Sequence, residues 1–348
     1  MSADGISFRT TGRITVPVVR AFSLGVVTVA LCFVLNAVLV FWMGWPGVGP
    51  TLGSLGIAGF KAPLPTHSGL TLMLGIAQAS SYFLCILGSI AFAVLRPDRT
   101  LEHESDTLSA WVGFIIRWAF WGVLLIGVVD AVISFLRVEG ILVGLIGEAL
   151  DGELGRPNFR GHFVHYPLLA VAGLIAARSK SLGFHWLAMM IVIAEVLIVI
   201  ARFVFSYEQA FMSDLVRFWY AGLFLFASPY TLVTNGHVRV DVLYAGFSAK
   251  AKAWTNTLGS LFLGLPFCWM IIALGMWGPR NVITSPLLNF EVTQSGYGMY
   301  VKYLLAGYLL VFALAMLIQF AATIAASTAI LLGGDPDETA DHAQVAPA

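Results

Sequence analysis

Residues 185–205 run HWLAMMIVIAEVLIVIARFVF, and only His185, Glu195 and Arg202 among them are ionisable. As a helix rising 1.5 Å per residue, this stretch is about 31 Å long, the thickness of a bilayer's hydrocarbon core. Its apolarity is continuous rather than alternating, which excludes the strand of an outer-membrane barrel. The stretch is a transmembrane helix. Seven further segments share its signature, at 19–43, 69–95, 110–136, 162–178, 212–234, 255–276 and 300–326. The segment at 162–178 is the weakest, being short and carrying His162 and His165. Gly140–Leu150 is too short to span and is expected to be an interfacial or re-entrant helix.

Composition supports the same class. Of 348 residues 59% are apolar and 11% charged, whereas soluble domains carry about 25% charged residues. The expected fold is therefore all-α: a polytopic helical membrane protein with about eight transmembrane helices plus interfacial helices. Nineteen basic and nineteen acidic residues cancel, so no net field draws in nucleic acid. Cys32, Cys85 and Cys268 are odd in number and form no C-x-x-C pair, which disfavours disulfide, zinc and iron–sulfur roles. No G-x-G-x-x-G, P-loop or H-E-x-x-H motif occurs. Neither a catalytic site nor a cofactor or metal is expected. Arg9, Arg13 and Arg20 precede the run Ala21–Met43, too long for a signal-peptide core, so a retained first span is expected.

Orientation follows from the basic residues. With the amino terminus cytoplasmic, the inner segments hold Arg9, Arg13, Arg20, Arg96, Arg99, Arg178, Lys180, Arg239, Lys250 and Lys252. The outer segments hold only Lys61, Arg137, Arg156, Arg160, Arg280 and Lys302. Ten against six places both termini in the cytoplasm. Asn235–Trp254 mixes valines and aromatics with His237, Arg239, Asp241, Lys250 and Lys252, as suits a surface-lying segment anchored at lipid headgroups. The tail 333–348 is acidic and is expected to be disordered.

Ionisable groups inside spans are the candidate functional residues, because each is costly there. Glu195 sits at mid-span, where a carboxylate costs about 2.5–3.5 kcal/mol. Arg202 shares its face but lies about 10.5 Å along the axis, and helical side chains lean the other way. Glu195 therefore needs a partner elsewhere: it is a proton relay or an interhelical tie. Arg202, Asp214 and Arg217 lie at similar depth on antiparallel neighbours, with Asp214 and Arg217 at i, i+3. They form an ion network pinning two helices, or an anion or partner-docking site near the outer surface. Arg117 and Asp130 are about 19 Å apart on one span and are expected to serve structure. The histidines provide no facing pair at mid-depth, which disfavours haem.

From about His185 onward the chain resembles the small (Q-type, DctQ-like) membrane subunit of tripartite ATP-independent periplasmic (TRAP) transporters. The resemblance rests on Arg202-Phe203 closing one span and Ser213-Asp214-Leu215-Val216-Arg217 opening the next. It continues in Gly236-His237-Val238-Arg239-Val240-Asp241 just after that span. The family more often has glutamate where this chain has Asp214. The implied organisation is an amino-terminal four-helix extension (1–180), a Q-type four-helix domain (181–332) and an acidic tail (333–348). Such extensions occur in larger family variants, some linked with mannitol, chloroaromatic or α-keto-acid transport. The implied function is that of a scaffold in a sodium-coupled, binding-protein-dependent transporter for an organic acid anion. Its implied partners are the large (M-type) membrane subunit, a periplasmic substrate-binding protein and the lipid bilayer of the bacterial inner membrane. Glu195, Arg202, Asp214, Arg217, Gly236, His237, Arg239 and Asp241 are the subunit-interface or structural candidates. Arg239 and Asp241, two apart, would not face each other on a helix. Two alternatives stay open: a self-sufficient proton-coupled transporter using Glu195, and a haem-bearing membrane anchor. The sequence lacks the inverted repeat and paired broken helices of a complete secondary transporter.

Overall fold

The computed structural model describes residues 3–57, 69–179, 184–234, 244, 246–292 and 298–334, with side chains described from Thr15 onward apart from Phe184 and Ala210. In chain order the helices are α1 (Ala3–Met43), α2 (Val48–Ser54), α3 (Gly69–Leu95), α4 (Leu101–Val138), α5 (Ile141–Ile146), α6 (Glu148–Leu154) and α7 (Pro157–Arg160). Then come α8 (Tyr166–Arg178), α9 (Phe184–Phe205), α10 (Ala210–Val233), α11 (Ala249–Gly259), α12 (Leu265–Met276), α13 (Thr284–Asn289) and α14 (Lys302–Leu331). The described residues contain no strand. The protein is an all-helical, polytopic membrane protein.

Among the described residues, six helices are long and apolar enough to cross a membrane: Thr15–Met43, Gly69–Leu95, Leu101–Val138, His185–Phe205, Ala249–Met276 and Lys302–Leu331. Two other expected spans are helical but less apolar or shorter. Helix α10 carries Asp214, Arg217 and an internal Pro229, and α8 has only 13 residues. The stretch expected to be interfacial forms α5 and α6, both far too short to span.

Among the described residues two π turns occur, Gly161–His165 between α7 and α8 and Ser260–Gly264 between α11 and α12. Each lies just before a proline, Pro167 and Pro266. A proline in a helix offers no N–H and its ring strikes the carbonyl four residues back. Widening the turn relieves both problems without breaking the helix.

The chain forms two compact units, each drawing on both sides of residue 180. The first comprises Met1–Ser109, His237–Pro279 and Met316–Val345. Within it α1 packs on α3 and α12. Small and polar residues set the α1–α3 seam, where Thr28 and Ser89 hydroxyls meet at 3.1 Å and Asn36 donates to Ser81 at 3.1 Å. Small residues let membrane helices approach closely, which replaces the missing hydrophobic drive. Arg20, expected to flank the first span at its cytoplasmic end, is instead buried inside α1 and pairs with buried Glu104 at 3.3 Å. It also donates to the carbonyls of Ala93 and Arg96, at 3.3 and 2.7 Å. These lie where α3 ends and its last carbonyls lack intrahelical partners.

The second unit comprises Ala110–Gly236, Arg280–Ala315 and Ala346–Ala348. Here α9 and α10 are joined through Ser206, which adopts φ 51°, and they pack together. Trp219 of α10 is buried and donates its indole N–H to the Val123 carbonyl of α4 at 3.3 Å. Gly127 makes this contact possible, because a Cβ there would lie 2.1 Å from Trp219 Nε1. Trp118 donates to the Leu169 carbonyl at 2.7 Å, tying α4 to α8.

Candidate functional site

The largest concentration of buried charge lies in the second unit. Helix α4 supplies Asp130 and Ser134, α7 ends on Arg160, the π turn ends on His165, Tyr300 lies just before α14 and Tyr303 in its first turn. Asp130, Arg160, His165 and Tyr303 are all at most 1% exposed. One Asp130 oxygen accepts from Arg160 Nη1 at 3.0 Å and meets His165 Nε2 at 3.0 Å. The other accepts the backbone N–H of Tyr300 at 2.9 Å. A carboxylate only accepts, so Nε2 carries the hydrogen, and Nδ1 of a neutral ring then accepts from the Tyr303 hydroxyl at 2.8 Å.

Arg160 completes its fork with Ser134 Oγ at 3.2 Å and the Leu154 carbonyl at 3.0 Å. Its guanidinium lies 4.1 Å from the centre of the Tyr300 ring, a cation–π contact. Arg137, less buried, extends the network to Asp151 at 3.2 Å and to the Tyr300 hydroxyl at 3.4 Å. Gly161 leaves room for Phe290, whose ring atoms lie 2.3 Å and 2.5 Å from where a Cβ would stand. These donors and acceptors are turned on one another, as in a clamp. A buried pair is held only when the remaining lone pairs and protons are also satisfied, and here both Asp130 oxygens, both His165 nitrogens and Arg160 Nε and Nη1 have partners.

The residues expected from sequence fall into three groups. Asp214 is buried, accepts the backbone N–H of Met299 at 3.2 Å and lies 3.8 Å from Arg217. Arg202 meets Glu208 in the following loop, at 3.9 Å. Glu195 is exposed on α9 and makes no hydrogen bond or ion pair among the described residues. Gly236, His237, Arg239 and Asp241 lie outside the described residues. In the α9–α10 loop, Tyr207 donates to Glu139 and accepts from Gln209. The Gln209 bond lowers the Tyr207 phenol pKa, but the hydrogen bond to Glu139, desolvation and the Glu139 charge together hold the group above its ordinary value. Both ring nitrogens of His165 are engaged, and His162 Nδ1 faces the Asn158 carbonyl at 2.8 Å. These engaged histidines are poorly placed to ligate haem.

The Asp130–Arg160–His165–Tyr303 network was not anticipated as a unit. A depth comparison signals part of it: Asp130 lies near the end of one expected span and His165 near the start of the next, so an antiparallel pair sets them level.

The fold and its charges define a multi-pass helical membrane protein in which buried ion pairs fasten helices. Over residues 188–328 the chain matches the family described as Tripartite ATP-independent periplasmic transporters, DctQ component. The match takes in Glu195, Arg202, Asp214, Arg217 and Tyr303, while Asp130, Arg160 and His165 precede it. No curated protein and no solved structure matches the chain.

Proposed function

We propose that this chain is the small permease subunit of a tripartite, sodium-coupled secondary transporter in a bacterial inner membrane. A periplasmic substrate-binding protein captures an organic acid anion and hands it to a membrane complex. The large M-type subunit carries the anion and the sodium, and this chain braces it and helps form the dock for the binding protein. Residues 1–180 act as an added four-helix support, 181–332 as the Q-type domain, and both termini face the cytoplasm. The single observation that supports this reading is the family match over residues 188–328. The clamp around Asp130 adds to it, since it ties residues preceding the match to Tyr303 inside it. No enzymatic turnover is assigned to the chain.

Removing this chain from cells that express all three components tests the reading. Binding-protein-dependent uptake of the anion should be lost and restored by the chain supplied in trans. Uptake that persists without the chain contradicts it. A second reading, a self-sufficient proton-coupled carrier, draws only on the position of Glu195. Uptake by the chain alone, abolished in Glu195→Gln, would favour that reading.

A further inference from the structure

Helix α9 carries a demand that the described residues leave unmet. Leu187, Ile191 and Ala194 form its buried stripe. Beside that stripe run Ala188, Val192, Glu195, Val199 and Arg202, spaced four, three, four and three residues apart. That spacing sets them along one face of the helix. Yet Val192 is 60% and Val199 53% exposed, and Glu195 and Arg202 are exposed with them. Glu195 lies at the middle of the candidate span His185–Phe205, about 15 Å of helix from either end. A side chain that short cannot reach the headgroups as a long lysine or arginine does.

We infer that the stripe Ala188–Val192–Glu195–Val199–Arg202 is the seam on which a membrane helix of the large subunit docks, presenting a cationic or amide donor opposite Glu195. The inference rests on the proposed function and specifies its contact surface. Charge complementarity selects the occupant. A second copy of this chain packed symmetrically on the seam would set Glu195 against Glu195, and lipid tails offer no donor at that depth. A polar pair at mid-membrane would also fix the register of the two helices, the best-attested role of buried polar groups.

The test uses the affinity-tagged chain co-expressed with the large subunit of the same transporter, with a benzophenone amino acid placed at single positions of α9. Photo-crosslinks to the large subunit are expected from Val192 and Val199 and not from Ile193 and Leu197, exposed residues on another face. Glu195→Leu, which suits the bilayer and leaves the helix intact, should reduce the co-purified large subunit about tenfold, whereas Glu195→Gln keeps most of it. Crosslinks from Ile193 and Leu197 instead, crosslinks to a second copy, or full recovery in Glu195→Leu would overturn the seam while leaving the subunit reading in place. A wild-type chain that brings down no large subunit at all would overturn both.

Discussion

Asp130 and Arg160, thirty residues apart, meet at 3.0 Å with both side chains out of contact with solvent. The carboxylate that receives the guanidinium also receives an imidazole and a backbone amide. This arrangement gives the second unit a polar centre whose parts cannot be removed singly without cost.

Asp130→Ala should destabilise the protein by about 3–5 kcal/mol, since Arg160 would stay buried without its counter-charge. Thermal unfolding in detergent measures this. The paired change Asp130→Leu with Arg160→Met should recover much of the loss, because apolar replacement of a whole buried pair is often neutral. Equal losses in the single and the paired variant would mean that the clamp does not act as a pair.

Tyr303→Phe removes one hydroxyl and leaves His165 Nδ1 without its 2.8 Å donor. Interhelical hydrogen bonds inside membranes average about 0.6 kcal/mol, so the expected destabilisation is near that value. It should fall well below that of Asp130→Ala in the same assay.

Gly127→Ala forces a Cβ to within 2.1 Å of the Trp219 indole nitrogen. Overpacking of this kind costs about 1–3 kcal/mol. Trp219→Phe in the same molecule should relieve part of that cost, so the two changes should prove non-additive in a double-mutant cycle.

Arg20→Ala leaves buried Glu104 unpaired and removes donors from the Ala93 and Arg96 carbonyls. A loss of about 3 kcal/mol or more is expected. Arg20→Lys should recover only part of it, since a single ammonium lacks the guanidinium's fork.

The helical membrane class was legible from hydropathy alone, because a bilayer forces every span to be long and apolar. The two weakest spans were those in which charge or proline interrupts the pattern. Helix α10 buries Asp214 beneath Met299, and the helical stretch through Pro157–Arg178 needs a π turn ahead of Pro167. The partners of buried charges were less legible, since they depend on which helices touch. Asp130 could be expected to find a partner on another helix, and depth sets His165 level with it, but Arg160, which ends the short helix α7, carried no such signal. Arg202 illustrates the converse: depth alone set it beside Asp214, yet the loop folds back so that Glu208 meets it first. Two residues within the pattern used for the resemblance, Asp214 and Arg217, do come together, although at 3.8 Å and with Arg217 largely exposed. Glu195 stood out from sequence by cost, and its exposure on α9 turns that cost into a demand on a neighbour.

Reconstitution into liposomes with an imposed sodium gradient tests the subunit claim most directly. The purified chain alone should move no organic anion, and uptake should begin only when the large subunit and the binding protein are both supplied. Substrate accumulation driven by this chain without companions would contradict the account.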